Sequence, residues 1–176
     1  MKPALAGEHS IVGCPASHDS VGAGLFKSVL RQHAATVTVV TAGLDVPVGF
    51  CATSFTSVSL DPPLVSFCVG LQASSWSTLR VAPKIMVHLL ADTQVDLARR
   101  FAQSAAARFG SETRWHQGPF GLPVLQGVMA WLVLEPVSRT PVGDHALIVG
   151  TVVQAEHAVG RRPLVHHDGR FTSLAS

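Results

Sequence analysis

Thr36-Val37-Thr38-Val39-Val40-Thr41-Ala42-Gly43-Leu44-Asp45-Val46-Pro47-Val48-Gly49-Phe50-Cys51-Ala52-Thr53 decides how this chain folds. Every residue from 36 to 41 is β-branched, and such side chains pack well on a pleated sheet and crowd a helix. Gly43-Leu44-Asp45 turns the chain, and Val48 to Thr53 reads as a second strand, so the pair reads as a hairpin. Asp61-Pro62-Pro63 then forbids helix and leads into a third strand over Leu64 to Val69. Lys84 to Leu90, Val128 to Val137 and Ala146 to Glu156 read as further strands. Leu164-Val165-His166 and Arg170-Phe171-Thr172 are short strands about an Asp168-Gly169 turn.

Helical signals are fewer. Leu25, Phe26, Val29, Leu30 and His33 fall at 3.6-residue spacing and predict a helix over 23–35. Ser74 to Leu79 reads as a capped helical turn, and a helix near 94–103 runs through Leu97, Ala98 and Phe101. The Gly- and Pro-rich stretch Gly110 to Gly127 reads as loops. Seven or eight strands that follow one another directly, without helical crossovers, imply a mainly β, antiparallel barrel with short α elements.

The chain has 176 residues, enough for one domain: a flexible arm over 1–20 and a folded unit over 21–176. Apolar residues make up 47 % and charged residues only 14 %, which excludes disorder and implies a surface partly covered by another subunit. A net charge of +2 lacks the basic footprint of a nucleic-acid binder. No apolar run reaches the ~18 residues of a spanning helix. Ile11-Val12-Gly13-Cys14 faintly resembles a lipoprotein cleavage site, but Glu8 and His9 interrupt the apolar segment it needs. Cys51 and Cys68 lie in apolar runs and, with Cys14, form no CxxC, so the cytoplasm is the expected compartment and no metal site is expected. Nine histidines include none at i, i+4 with a carboxylate partner, and His166 and His167 point to opposite faces of a strand.

Chemistry concentrates in Thr53-Ser54-Phe55-Thr56-Ser57-Val58-Ser59-Leu60, where five hydroxyls fall within seven residues between two strands. Hydroxyls and free N–H groups at a strand end suit a phosphate or the polar edge of a flat heterocycle. The same residues also suit a turn that satisfies its own backbone. Trp76, Trp115 and Trp131 read as core or interface residues.

The segment Gly49 to Leu64 closely resembles the flavin reductase family, whose fold is the FMN-binding split barrel. The resemblance continues in order through Ser74-Ser75-Trp76, Leu97-Ala98-Arg99-Arg100-Phe101-Ala102, Gly143-Asp144-His145, and Pro163-Leu164-Val165 through Gly169-Arg170-Phe171, over residues 24–174. It implies a homodimeric NAD(P)H-dependent flavin reductase that supplies reduced FMN or FAD to a separate monooxygenase. It further implies that Ala52, Thr53 and Ser54 meet the isoalloxazine edge. Thr56, Ser57, Ser59, Ser74 and Ser75 would lie by the ribityl chain and phosphate, and Arg100 and Phe101 would border the ring. His166 and Phe171 complete the implied cofactor-binding set. His145 is the residue expected on the nicotinamide side, as NADH or NADPH. Family members often carry Tyr at the position of His166 and Asn at that of His88. Those two departures motivate a second reading, a flavin- or ligand-binding barrel that serves another biosynthetic step.

Overall fold

The computed structural model describes residues 20–174. The arm expected over 1–20 lies outside them except for Ser20, and so does Cys14. The chain runs α1 (Ala23–Leu30), β1 (Ala35–Thr36), β2 (Thr38–Ala42), β3 (Val48–Ala52), β4 (Thr56–Leu60), β5 (Pro63–Gly70) and α2 (Trp76–Leu79). It continues through β6 (Ile85–Leu89), α3 (Val95–Ala102), α4 (Ala105–Arg108), β7 (Trp115–Gln117), β8 (Pro123–Leu125), β9 (Ala130–Val142), β10 (His145–His157), β11 (Leu164–His167) and β12 (Arg170–Ser173).

Seven strands form one sheet in the order β3-β2-β6-β9-β10-β5-β4. Every neighbouring pair is antiparallel, as the sequence predicts. β3 and β4 are consecutive in the chain yet occupy opposite edges, so the sheet curls until its edges meet without pairing. A small sheet of β1, β11 and β12 and the hairpin β7–β8 lie outside the curl.

β2 is buried along its whole length because it is covered on both faces. Val40 and Ala42 point into the curl with Phe67, Leu79, Ile85, Leu134 and Ile148. Val37 and Val39 point outward, under α3 and the β7–β8 hairpin, with Met86, Phe101, Leu125 and Val133. Two-sided burial is why the strand reads as an unbroken β-branched run and not as an alternation. Its buried hydroxyls are satisfied by backbone: Thr38 Oγ1 donates to Ala52 O at 2.9 Å and Thr41 Oγ1 to Pro123 O at 2.9 Å.

Three expectations are corrected. The first helix ends at Leu30 and not at 35, since Gln32 and His33 bond back only three residues and Ala35 then pairs with His166 of β11. The hydroxyl-rich stretch includes a strand, β4, bulged at Val58 where two steps along β4 meet one along β5. The stretch 110–127 holds the hairpin β7–β8. The Asp168-Gly169 turn forms as expected, with φ +48° and +72°, the pair of positive values that a two-residue hairpin loop of this hand requires.

His88 is fully buried on β6 and joins three elements. Leu125 N–H of β8 donates to its Nε2 at 3.1 Å, which leaves Nδ1 to donate to Val39 O of β2 at 3.1 Å. Burial is the main cause that pulls the imidazole down to about 4, against the opposing effect of its backbone bonds. A folded value below the unfolded one means that the unfolded chain binds the extra proton between about pH 6.5 and 4. Stability therefore falls as pH drops through that window, by about 3 kcal/mol in all. We expect His88→Asn to cost stability at pH 7 through lost packing but to fall less between pH 7 and 5, as read from denaturant midpoints. An equal fall in parent and variant would show that His88 does not carry the effect.

Candidate functional site

The two edges of the sheet come together along a seam between β3 and the chain from Cys68 onward. Ser54, just past β3, ties one end: Cys68 N–H donates to Ser54 Oγ at 2.9 Å. The other end is tied by Arg108 of α4. Its Nη1 donates to Gly49 O of β3 at 2.7 Å and to Ser74 Oγ at 3.2 Å. Gly49 O therefore points away from β2. By the two-residue period, the backbone groups of Cys51 and Thr53 also point off the paired edge. Backbone donors and acceptors with no neighbouring strand thus line one wall of the seam.

Gly49 itself is required there, because a Cβ would lie 2.8 Å from both Phe101 Cε1 and Val40 O. Its absence lets α3 seat against β3. Cys51 beside it is inert as a nucleophile, its thiol pushed up to about 11 by burial.

The turn between β9 and β10 forms the third wall. His145 pairs in register with Gly70, and Leu71 N–H donates to Asp144 O at 3.0 Å, which joins this turn to the Ser74 loop. His145 Nδ1 lies 2.7 Å from Asp144 Oδ1. That hydrogen bond, and then the charge of His145, hold the exposed Asp144 carboxyl below its usual value. The ionised carboxylate accepts, so Nδ1 carries the hydrogen. A Cβ on Gly70 would lie 3.9 Å from His145 Nε2.

The expected site residues divide. Thr53 and Ser54 stand exposed at the corner of the seam, with Ser74 and His145 along it. Ala52 is buried, its side chain within the curl and its carbonyl taken by Thr38. Thr56, Ser57 and Ser59 run along β4 in the opposite direction, and Ser57 and Ser59 lie opposite Val65 and Leu64. β5 runs about 17 Å from Val65 to Gly70 at roughly 3.4 Å per residue, so Ser57 sits back along β5 from the end that leads into the Ser74 loop. Phe101 is fully buried behind β3, edge-on to Phe109, and presents no surface to a ligand. Arg100 is turned to the neighbouring loop, where Nη2 pairs with Glu112 Oε2 at 2.8 Å and Nη1 donates to Glu112 O at 3.1 Å.

His166 packs edge-on against Phe171, ring centres 5.7 Å apart. With Thr53, it lines an open groove of about 640 Å³ beneath α1, where Lys27 and Arg31 also project. Arg108 and Asp144 also stand at the seam, and sequence reasoning did not single them out. Asp144 lies inside the Gly143-Asp144-His145 motif beside the chosen histidine. Ser104-Ala105-Ala106-Ala107-Arg108 carries no chemical signature at all. Among the described residues, no group of three or more His, Cys, Asp or Glu side chains could hold a metal ion.

The family model described as "Flavin reductase like domain" matches residues 30–175. The chain is 42 % identical over 166 residues to an NADH:FMN oxidoreductase of Rhodococcus qingshengii, covering 92 % of this chain and 86 % of that one. It is 34 % identical over 152 residues to the reductase subunit HsaB of a flavin-dependent monooxygenase from Mycobacterium tuberculosis, covering 85 % and 81 %. The fold matches a Streptomyces globisporus NADH:FAD oxidoreductase solved with NAD and FAD fragments. The TM-score is 0.81 at 35 % identity, over 85 % of this chain and 91 % of that one.

The tie at Ser54 is testable by itself. Ser54→Ala removes the acceptor for Cys68 N–H, worth about 0.5–1.5 kcal/mol. We expect a melting temperature lower by about 2–5 °C and faster amide exchange at Cys68. Unchanged exchange at Cys68 would show that the seam closes without this bond.

Proposed function

This chain belongs to the flavin reductase-like family, and we propose that the seam is where it binds flavin for reduction by a nicotinamide nucleotide. The enzyme is an NAD(P)H:flavin oxidoreductase that supplies reduced FMN or FAD to a partner monooxygenase. The observation that carries the placement is the wall of unpaired β3 backbone groups beside the hydroxyls of Thr53, Ser54 and Ser74. Ser75 Oγ supports it. The residue is 1 % exposed, and its hydroxyl has no hydrogen-bond partner among the described residues. An orphaned buried hydroxyl costs free energy until something meets it, so the residues present fit a polar ligand at this corner.

A bound flavin supplies a ring that accepts hydride, and the protein supplies position and electrostatics. The outward N–H groups of β3 would hold the polar edge of the ring, as donors suited to the negative charge that reduction places there. Fixed dipoles of this kind cost no reorganisation at the moment of reaction. Asp144 holds the His145 imidazole by Nδ1, so that Nε2 is the atom offered to the incoming nicotinamide. No side chain has to move a proton for hydride transfer. The work of His145 is to hold the donor ring at reacting distance.

The exposed face of α1 supports an assembly of two chains. Leu25, Phe26, Val29 and Leu30 are each more than half exposed and fall on one face, and no residue of the helix is buried. The occupant of that face is a second copy of this chain, in keeping with the low charge content of the sequence. No described helix is long and apolar enough to cross a membrane.

The direct test is oxidation of NADH followed by absorbance with the protein and FMN or FAD, in air. Turnover is expected, and none with either flavin would refute the reductase reading. His145→Ala should leave flavin affinity unchanged and lower NADH turnover by at least a few-fold, up to on the order of a hundredfold if the donor is misplaced by about 1 Å. Equal turnover in parent and variant would make His145 a turn residue only. Light scattering should give twice the 18.5 kDa chain mass, and Leu25→Lys with Val29→Lys should give a single chain. A monomeric parent at micromolar concentration would contradict the pairing through α1.

A further inference from the structure

A cavity of about 300 Å³, apart from the seam and from the groove beneath α1, lies where three segments meet. The β2–β3 turn brings Leu44, the chain after α2 brings Val81, Ala82 and Lys84, and the loop between β7 and β8 brings Phe120 and Leu122. Ala82 and Leu122 are buried, while Leu44, Val81 and Phe120 are each more than half exposed. Buried apolar residues thus form the floor and exposed ones the rim. None of the lining residues borders the seam.

Phe120 is held in a conformation that costs free energy. Its φ of +56° and ψ of +22° lie in the left-handed region, which a bulky side chain avoids. Among the described residues, Asp168 is the other non-glycine with a positive φ, and Asp tolerates that region. The turn is closed around Phe120: Gly118 N–H donates to Leu122 O at 2.9 Å, and Leu122 N–H to Pro119 O at 3.1 Å. A glycine would meet the same turn without strain. The core does not need the ring, which is 55 % exposed. A strained aromatic displayed on the rim of a cavity points to what the cavity takes.

Lys84 is the charged residue of the lining. Its Nζ stands 4.6 Å from the centre of the Phe120 ring and 3.5 Å from Glu135 Oε2. Glu135 balances the charge, but that separation is too long for a strong charge-assisted bond, so the ammonium keeps N–H groups to offer. An aromatic wall, apolar sides and one donor of balanced charge suit a flat neutral ring molecule that carries an oxygen. An anion would be brought against Glu135. A dry cavity of about 150 Å³ takes benzene, so this one has room for two fused rings.

We infer that this cavity binds a neutral aromatic molecule of one or two rings, packed against Phe120 with its oxygen on Lys84. The site is separate from the seam and does not depend on the reductase reading.

2-Naphthol, neutral at pH 7, serves as the probe, titrated into the intact protein by calorimetry. One site per chain is expected, with a Kd below about 1 mM, in the range for a ligand of about eleven heavy atoms. Saturating FMN should leave that Kd unchanged. Phe120→Gly should weaken the probe about tenfold without lowering the melting temperature, because glycine relieves the strained backbone. Lys84→Met should weaken it several-fold, and 2-naphthoate should bind more weakly than 2-naphthol. No binding to the parent, displacement by FMN, tighter binding of 2-naphthoate or unchanged affinity in Phe120→Gly would each overturn the inference. If Phe120→Gly melts below the parent, Lys84→Met decides, and unchanged affinity there overturns it. Light scattering should give Phe120→Gly the mass of the parent. A smaller mass would make the cavity a contact between two copies and overturn it as a ligand site.

Discussion

Three residues, Thr53 to Phe55, join strands that lie at opposite edges of a seven-stranded sheet. Flat, those edges would stand about 29 Å apart, six spacings of roughly 4.8 Å. Four Cα steps from Ala52 to Thr56 reach at most about 15 Å. The sheet must therefore curl, and the short connection sets how far. Closure by full pairing is blocked because the chain leaves β3 at the point where the edges meet. What results is a seam with one wall of unpaired backbone.

Everything the site uses follows from that seam. An open edge is ordinarily a liability that proteins cover. Here α3 and α4 cover the flank of β3, and Gly49 permits it by letting Phe101 approach the strand. The seam is clasped at Ser54 and at Arg108, and the β9–β10 turn brings His145 alongside through the pairing with Gly70. Fixed donors facing a slot, with a rigid sheet behind them, are what a ring cofactor needs to be held and polarised. The same geometry explains why only the first part of the hydroxyl-rich segment lies at the seam. Its first residues turn the corner, and the rest belong to β4 and travel away.

The fold was legible where one physical demand dominated. β2 shows its two-sided burial as an unbroken β-branched run, and the Asp168-Gly169 turn shows its backbone need in two residues. β4 was hidden because Thr and Ser suit both an edge strand and a turn, and pairing with β5 settled the matter. α1 stopped short because β11 takes the chain at Ala35, a tertiary demand that periodicity cannot show. Thr53, Ser54, Ser74 and His145 were singled out through motifs, and the structure places all four along the seam. Phe101 sits in the core because the apolar periodicity of α3 points it at Gly49. Arg100 lies one residue earlier on that helix and meets Glu112 instead. Arg108 and Asp144 were invisible for a simpler reason. Their partners are a backbone carbonyl 59 residues away and a neighbouring imidazole, and neither leaves a pattern in the sequence.

The central claim is that the gap between the two sheet edges is the flavin site. A crystal structure of the protein with FMN tests it most directly. The account predicts the ring system between β3 and the 68–74 segment, its polar edge on the backbone of Cys51 to Ser54, with His145 on its open face. A flavin seated instead in the groove beneath α1, with the seam empty, would contradict it.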